Sequence, residues 1–183
     1  MEFLIGFIVV LVIVGMYVMS VYNKLVQLRN KVKDQWSQIE VHLKRRADLI
    51  PNLVETVKGF ASHEKETLDA VISARAKAVN ASTPAEEMKA NGELSNALGR
   101  LLAVAEAYPE LKANQNFLEL QKELTETENK ITFARQFYND TALGLNNAVE
   151  MFPSNIVASM FNFKKADFFE ADEASKEAPK VKF

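Results

Sequence analysis

The residues with the most chemistry to offer are two histidines, one short run of cations and a few neighbouring carboxylates. His63-Glu64 opens like the zinc-hydrolase pattern H-E-x-x-H, but position 67 is Thr. The second imidazole, which one helical turn would set beside the first, is therefore missing. His42 lies on the flank of an amphipathic stretch and reads as a surface or half-buried side chain. Glu86 and Glu87 fall in a helix-capping context, and Asp167 and Glu170 in a polar C-terminal one; carboxylates in such places are solvated charges. A serine nucleophile needs a positioned base, and neither a G-x-S-x-G elbow nor a glycine-rich phosphate loop occurs. Cysteine is absent, which removes thiolate chemistry, disulfides and Cys-based metal sites. The expectation is a protein that is not an enzyme and holds no cofactor or metal.

Lys44-Arg45-Arg46 stands apart. Arg46 occupies a position in an otherwise apolar heptad row, Val32–Ile39–Arg46–Leu53–Phe60. Burial there is costly unless a carboxylate pairs with the guanidinium. Asp48 is too near in sequence to face it, whereas Glu128 lies beside the apolar row of a later helix. Two readings follow. Arg46 and Glu128 form an interhelical ion pair that fixes register, or Arg46 lies along the surface with its head in water.

The elements that must position these groups are helices. Only 6 Gly and 5 Pro interrupt the chain, and Ala, Leu, Glu, Lys and Gln abound, which favours helix nearly throughout. Leu25, Val32, Ile39, Leu53 and Phe60 recur in heptads, and Trp36, Leu43, Ile50 and Val57 form a second row. Together they make the stripe of a packed helix. Pro51 falls inside it, but the rows keep phase, so the reading is a kink rather than a reversal. Gly59 loosens the helix before HEKETLDAVISARAKAV continues it. Thr83-Pro84-Ala85-Glu86 signals a new helix start; that helix runs to the neighbourhood of Tyr108-Pro109. Asn114 then caps a long segment in which Phe117, Leu124, Ile131, Tyr138, Leu145 and Phe152 repeat at heptad spacing. A short helix around Ser154–Phe161 follows. The aromatic cluster Phe161, Phe163, Phe168 and Phe169 reads as a bundle cap, with a docking surface as the other reading; Lys164 and Lys165 beside it suit membrane contact.

Ahead of all this, FLIGFIVVLVIVGMYVMSVY at Phe3–Tyr22 carries no charge. Twenty such residues span about 30 Å as a helix, the thickness of a bilayer's hydrocarbon layer. Its thirteen strongly apolar residues favour insertion by about 4–8 kcal/mol. A cleavable signal peptide would begin with positive charge and end in a small-residue site; here Glu2 precedes the run and YNKLVQLRNK follows it. Lys24, Arg29, Lys31 and Lys33 lie just beyond the span, so the positive-inside rule keeps that side cytoplasmic. The net charge of −2 gives no basic field for nucleic acid.

The fold class expected is all-α: an N-terminal transmembrane helix followed by an elongated antiparallel bundle of three main helices. The boundaries are 1–2 for a short extracytoplasmic N-terminus, 3–22 for the span, 23–169 for the bundle and 170–183 for a disordered tail. Short links between long helices force antiparallel packing, although heptads also suit a coiled coil between subunits.

YNKLVQLRNKVKDQWSQIEVHLKRRADLIPNLVETVKGFASHE (Tyr22–Glu64) resembles the LemA family of bacterial membrane proteins. The likeness continues in AEAYPELKANQNFLELQKEL (Ala105–Leu124), in RQFYND (Arg135–Asp140), in MFPSNIVA and in FFE at Phe168–Glu170. The resemblance implies a one-pass anchor in the bacterial inner membrane, an antiparallel helical bundle and no assigned catalytic residue. Relatives associated with organelle membranes or membrane proteases point to assembly. The expected function is a membrane-anchored scaffold or adaptor. Its partners are the lipid bilayer and unidentified membrane or cytoplasmic proteins, with homo-oligomers as one arrangement and no nucleic acid. The alternative is an accessory regulatory subunit of a membrane signalling or protease system.

Overall fold

The computed structural model describes residues 1–169, and all of the following concerns those residues; the tail expected at 170–183 lies outside them. Six helices and no strand occur among them: α1 (Glu2–Phe60), α2 (Lys65–Asn80), α3 (Pro84–Ala105), α4 (Pro109–Lys112), α5 (Gln115–Glu150) and α6 (Ser154–Met160). The apolar run belongs to α1, which continues without a break through Pro51 to Phe60. An 18-residue window of this helix is apolar enough to cross a membrane, and none of it is covered by protein. Contacts divide the chain into two units, Met1–Gln38 with Ala134–Phe168, and Ile39–Phe133 with Phe169.

In the second unit, the C-terminal half of α1 packs its heptad rows inward as far as Val57, whereas Phe60, the last member, is 38% exposed. Ile50, Leu53 and Val57 join Leu68 and Val71 of α2, Leu94, Leu98 and Leu101 of α3, Leu111 of α4, and Phe117 and Leu124 of α5 in one core. Each such side chain contributes roughly 1.5–3 kcal/mol on leaving water. The chain departs here from the continuous helix read in the sequence. α1 stops at Phe60, a turn closes with Glu64 N–H donating to the Ala61 carbonyl at 3.1 Å, and α2 begins at Lys65. α2 returns along α1, as the Arg75–Ala47 hydrogen bond shows. Local propensity is helical on both sides of the turn; burying Leu68, Val71 and Ala74 is a tertiary gain that propensity does not register.

Two helix starts follow their sequence signals. Thr83 Oγ1 accepts from the Glu86 N–H at 3.3 Å, and Glu86 Oε2 reaches back to the Ser82 N–H and hydroxyl. These hydrogen bonds, the Ser82 backbone bond foremost, hold the Glu86 carboxyl below its ordinary range. Asn114 Oδ1 accepts from the Phe117 N–H at 3.0 Å and opens α5.

In the first unit, Trp36 of α1 meets Tyr138 of α5 edge-to-face at 5.6 Å, and Leu28 lies against Gly144. Along α5 the heptad row is buried at Phe117, Leu124, Ile131, Tyr138 and Leu145. Its sixth member departs from the pattern: α5 ends at Glu150, and Phe152 is 79% exposed. Once the helix stops, heptad spacing no longer dictates which way a side chain faces.

Candidate functional site

The most concentrated polar chemistry lies inside the second unit, around Arg46. The heptad phase of α1 places this residue on the inward face, where it is wholly buried. Its guanidinium is held by α3 and α5 together. Nη1 donates to Glu128 Oε1 at 2.7 Å and to Ser95 Oγ at 2.8 Å. Nη2 donates to Asn91 Oδ1 at 2.6 Å and to the Asn91 carbonyl at 3.2 Å. Four of the five guanidinium N–H groups thus have acceptors, which is how a buried cation is tolerated; the Nε–H is enclosed without one among the described residues. Glu128 is itself 37% exposed, so its carboxylate keeps partial contact with water.

The α3 partners are themselves positioned. Asn91 Nδ2 donates to the Glu87 carbonyl, and the Ser95 hydroxyl donates to the Asn91 carbonyl. Neither residue was singled out in the sequence, yet a signal was present. Asn91 interrupts the apolar positions that Met88 and Leu94 set, and a polar residue inside such a stripe marks a partner for a buried polar group.

Pro51 has a consequence four residues earlier. It lacks an N–H, so the Ala47 carbonyl loses its regular in-helix donor. Arg75 of α2 supplies the replacement, with Nε–H donating to the Ala47 carbonyl at 2.7 Å. Beside these groups α1, α2 and α3 enclose a cleft of about 360 Å³ whose lining includes Glu40, Lys44, Asp48, Arg75 and Glu87. Burial, with a smaller push from the Glu40 charge, raises the Glu87 carboxyl above its ordinary value. The cleft mixes both signs of charge, and its lining holds no Ser, Thr, Cys or His. His63 is exposed and His42 half-buried, and among the described residues no three of His, Asp and Glu converge as a metal site would need. Arg45 sits at the surface, 3.8 Å from Glu123, both half-exposed, a pair of small energetic weight.

The first unit uses its polar groups to fasten a strap. Asn162, at φ 55°, ends α6 in the left-handed region, and the Phe163 N–H donates back to the Ala158 carbonyl at 2.9 Å. The following residues are pinned to α5. Asn146 exchanges two hydrogen bonds with the Ala166 backbone, at 2.8 and 2.9 Å. The Tyr138 hydroxyl donates to the Asp167 carbonyl at 3.0 Å; burial chiefly, and the Asp167 charge, push its pKa up. Phe161 and Phe163 consequently lie against Tyr22 of α1, with ring centroids 4.8 and 5.8 Å away, and Arg29 stacks over Phe163 at 5.2 Å. The four aromatics of the cluster differ in burial. Phe163 is half-buried and Phe169 buried, whereas Phe161 and Phe168 remain 48% and 43% exposed.

A helical chain with an apolar span near its start and these helix-to-helix clamps can be compared with known proteins. The family model described as LemA family matches residues 35–183. This chain belongs to the LemA family. Among its relatives is the Magnetosome protein MamQ 2 of Paramagnetospirillum magneticum, 28% identical over 179 residues, covering 84% of this chain and 66% of that protein. Protein LemA of Metamycoplasma hominis is 27% identical over 154 residues, 82% of this chain and 69% of that one. The Magnetosome protein MamQ of Magnetospirillum gryphiswaldense is 26% identical, with 84% and 66% covered. The chain thus spans just under two thirds of the length of the magnetosome relatives. It is a membrane-associated helical protein of the LemA family.

Proposed function

We propose that this LemA-family chain is a membrane-anchored scaffold or adaptor that presents a rigid helical surface to protein partners rather than transforming a substrate. The observation that carries the reading is the use made of Arg46. The one fully buried charged side chain among the described residues is consumed by bonds to α3 and α5, as a structural clamp would be. Arg46–Glu128 fixes helix register, and Pro51 is a bend in α1 stabilised by Arg75. Residues 3–22 anchor the chain, 23–169 form the helical domain, and Lys24, Arg29, Lys31 and Lys33 keep that domain on the cytoplasmic face of the inner membrane. Relatives bearing the magnetosome designation are in keeping with a part in assembling a cellular structure.

Exposed apolar residues of the second unit, including Phe133 (60% exposed) and Val79 (58%), are the positions at which to look for partners. Photo-crosslinkers at these sites in intact membranes should capture the same defined protein, or a second copy, in repeated preparations. Recovery of uncrosslinked monomer alone from both positions would remove the scaffold reading.

A further inference from the structure

In the first unit, Phe152, Ile156 and Met160 lie at successive four-residue steps, and Ile156 and Met160 share one face of α6. They are 79%, 53% and 68% exposed, while Val157 and Ala158 on the opposite side are buried. Three large apolar side chains held outward by a fixed helix are a contact surface awaiting an occupant. We infer that α6 lies in the lipid–water interface of the membrane that α1 crosses, with Phe152, Ile156 and Met160 seated among the acyl chains. This rests on the membrane-spanning reading of residues 3–22.

Three observations favour lipid over a protein partner. Phe161, next after α6, touches Tyr22 at 4.8 Å, and Tyr22 closes the uncharged run, so the apolar face continues the apolar surface of the span. The antiparallel register of Trp36 with Tyr138 and Leu28 with Gly144 brings the end of α5, where Phe152 follows, level with the same turn of α1. The flanking charge is also suitable: Lys24 and Lys164 are exposed beside this end, where cations meet anionic headgroups. An apolar face with basic flanks and an aromatic belt is the pattern of a helix lying in the interface. The face covers two helical turns, too little for the seam of a coiled coil.

The absence of cysteine makes the test direct, because any introduced cysteine is the sole site for a nitroxide label. Single variants F152C, I156C and M160C alter exposed positions, with V10C in the span and D140C on the exposed side of α5 as references. The labelled full chain is reconstituted in phosphatidylcholine vesicles containing a minor fraction of phosphatidylglycerol. Collision with oxygen, which concentrates in lipid, is compared with collision with a water-soluble nickel chelate. The three labels should show oxygen-to-nickel ratios several-fold above the Asp140 site and below the Val10 site. Ratios equal to that at Asp140, with Val10 still in lipid, would overturn the interfacial placement and leave the anchor standing. Shielding from both reagents would overturn it in favour of a second copy of this chain covering α6. A Val10 label accessible to nickel would remove the anchor and this inference with it.

Discussion

The two units of this chain handle polarity in opposite ways. In the second, a charge is inside: Arg46 is fully buried and bonded to Glu128, Ser95 and Asn91, and large apolar residues are packed inward around Leu53, Leu94 and Leu101. In the first, exposed apolar residues are continuous along the bare run of α1 and recur at Phe152, Ile156 and Met160, whereas in the second they are scattered, as at Val79 and Phe133. The first unit's polar side chains Asn146 and Tyr138 tie a strap to α5. A water-facing unit gains by hiding its apolar surface and can accommodate one buried charge if that charge is well bonded. A lipid-facing unit incurs no such penalty for apolar exposure. On the function proposed above, the second unit supplies the helical surface for partners and the first supplies the membrane contact.

The contrast breaks most visibly at Arg46. R46M would strand the Asn91 and Ser95 acceptors while the part-exposed Glu128 carboxylate turns to water, at a cost of about 1–3 kcal/mol, read as a fall in the thermal midpoint of the detergent-solubilised protein. A loss under about 1 kcal/mol would show that the clamp adds little net stability.

R75A comes next. It leaves the Ala47 carbonyl without a donor, and a charge-assisted bond of this kind is worth about 1.5–3 kcal/mol. The decisive comparison is with P51A, in which the backbone N–H at position 51 can serve Ala47 again. In that background R75A should cost markedly less, and equal costs in both backgrounds would show that Arg75 does not compensate for the proline.

N146A removes both bonds to the Ala166 backbone and should cost about 1–2 kcal/mol. Its more telling effect belongs to the first unit, where loosening the strap should make a nitroxide at Met160 more mobile. Unchanged label mobility would mean that α6 is held without the strap.

The smallest effect is at Glu87, and its sign is fixed by its raised pKa. A carboxyl that binds its proton more tightly in the folded state makes folding less favourable as pH rises through that raised value. E87Q should therefore stabilise the protein at neutral pH by about 0.5 kcal/mol or less, with the gain vanishing below the ordinary glutamate value of 4.5. A gain that persists at acid pH would point to packing rather than charge.

Much of the helical layout is legible in residues close together in the chain. The uncharged run, the stripes through Leu25–Val57, the Thr83 cap and the start of α5 at Asn114 all rest on spacing or on hydrogen bonds that local sequence specifies. The candidate site is less legible. Arg46 declares itself by interrupting an apolar row, but Asn91 and Ser95 on α3, and Arg75 answering Pro51, come from elements whose alignment is not written in any single segment.

By itself, then, the sequence determined an all-helical chain, a stretch apolar enough for lipid and the faces along which most helices bury themselves, because periodicity and capping act within a few residues. Tertiary structure alone decided that α1 stops at Phe60 and α2 folds back, that Phe152 leaves the core row, and that Asn146 and Tyr138 hold the strap against α5. Those outcomes depend on which distant surfaces and hydrogen-bond partners meet. Burial and satisfaction of polar groups are settled between helices, where one segment's pattern carries no information about its neighbour.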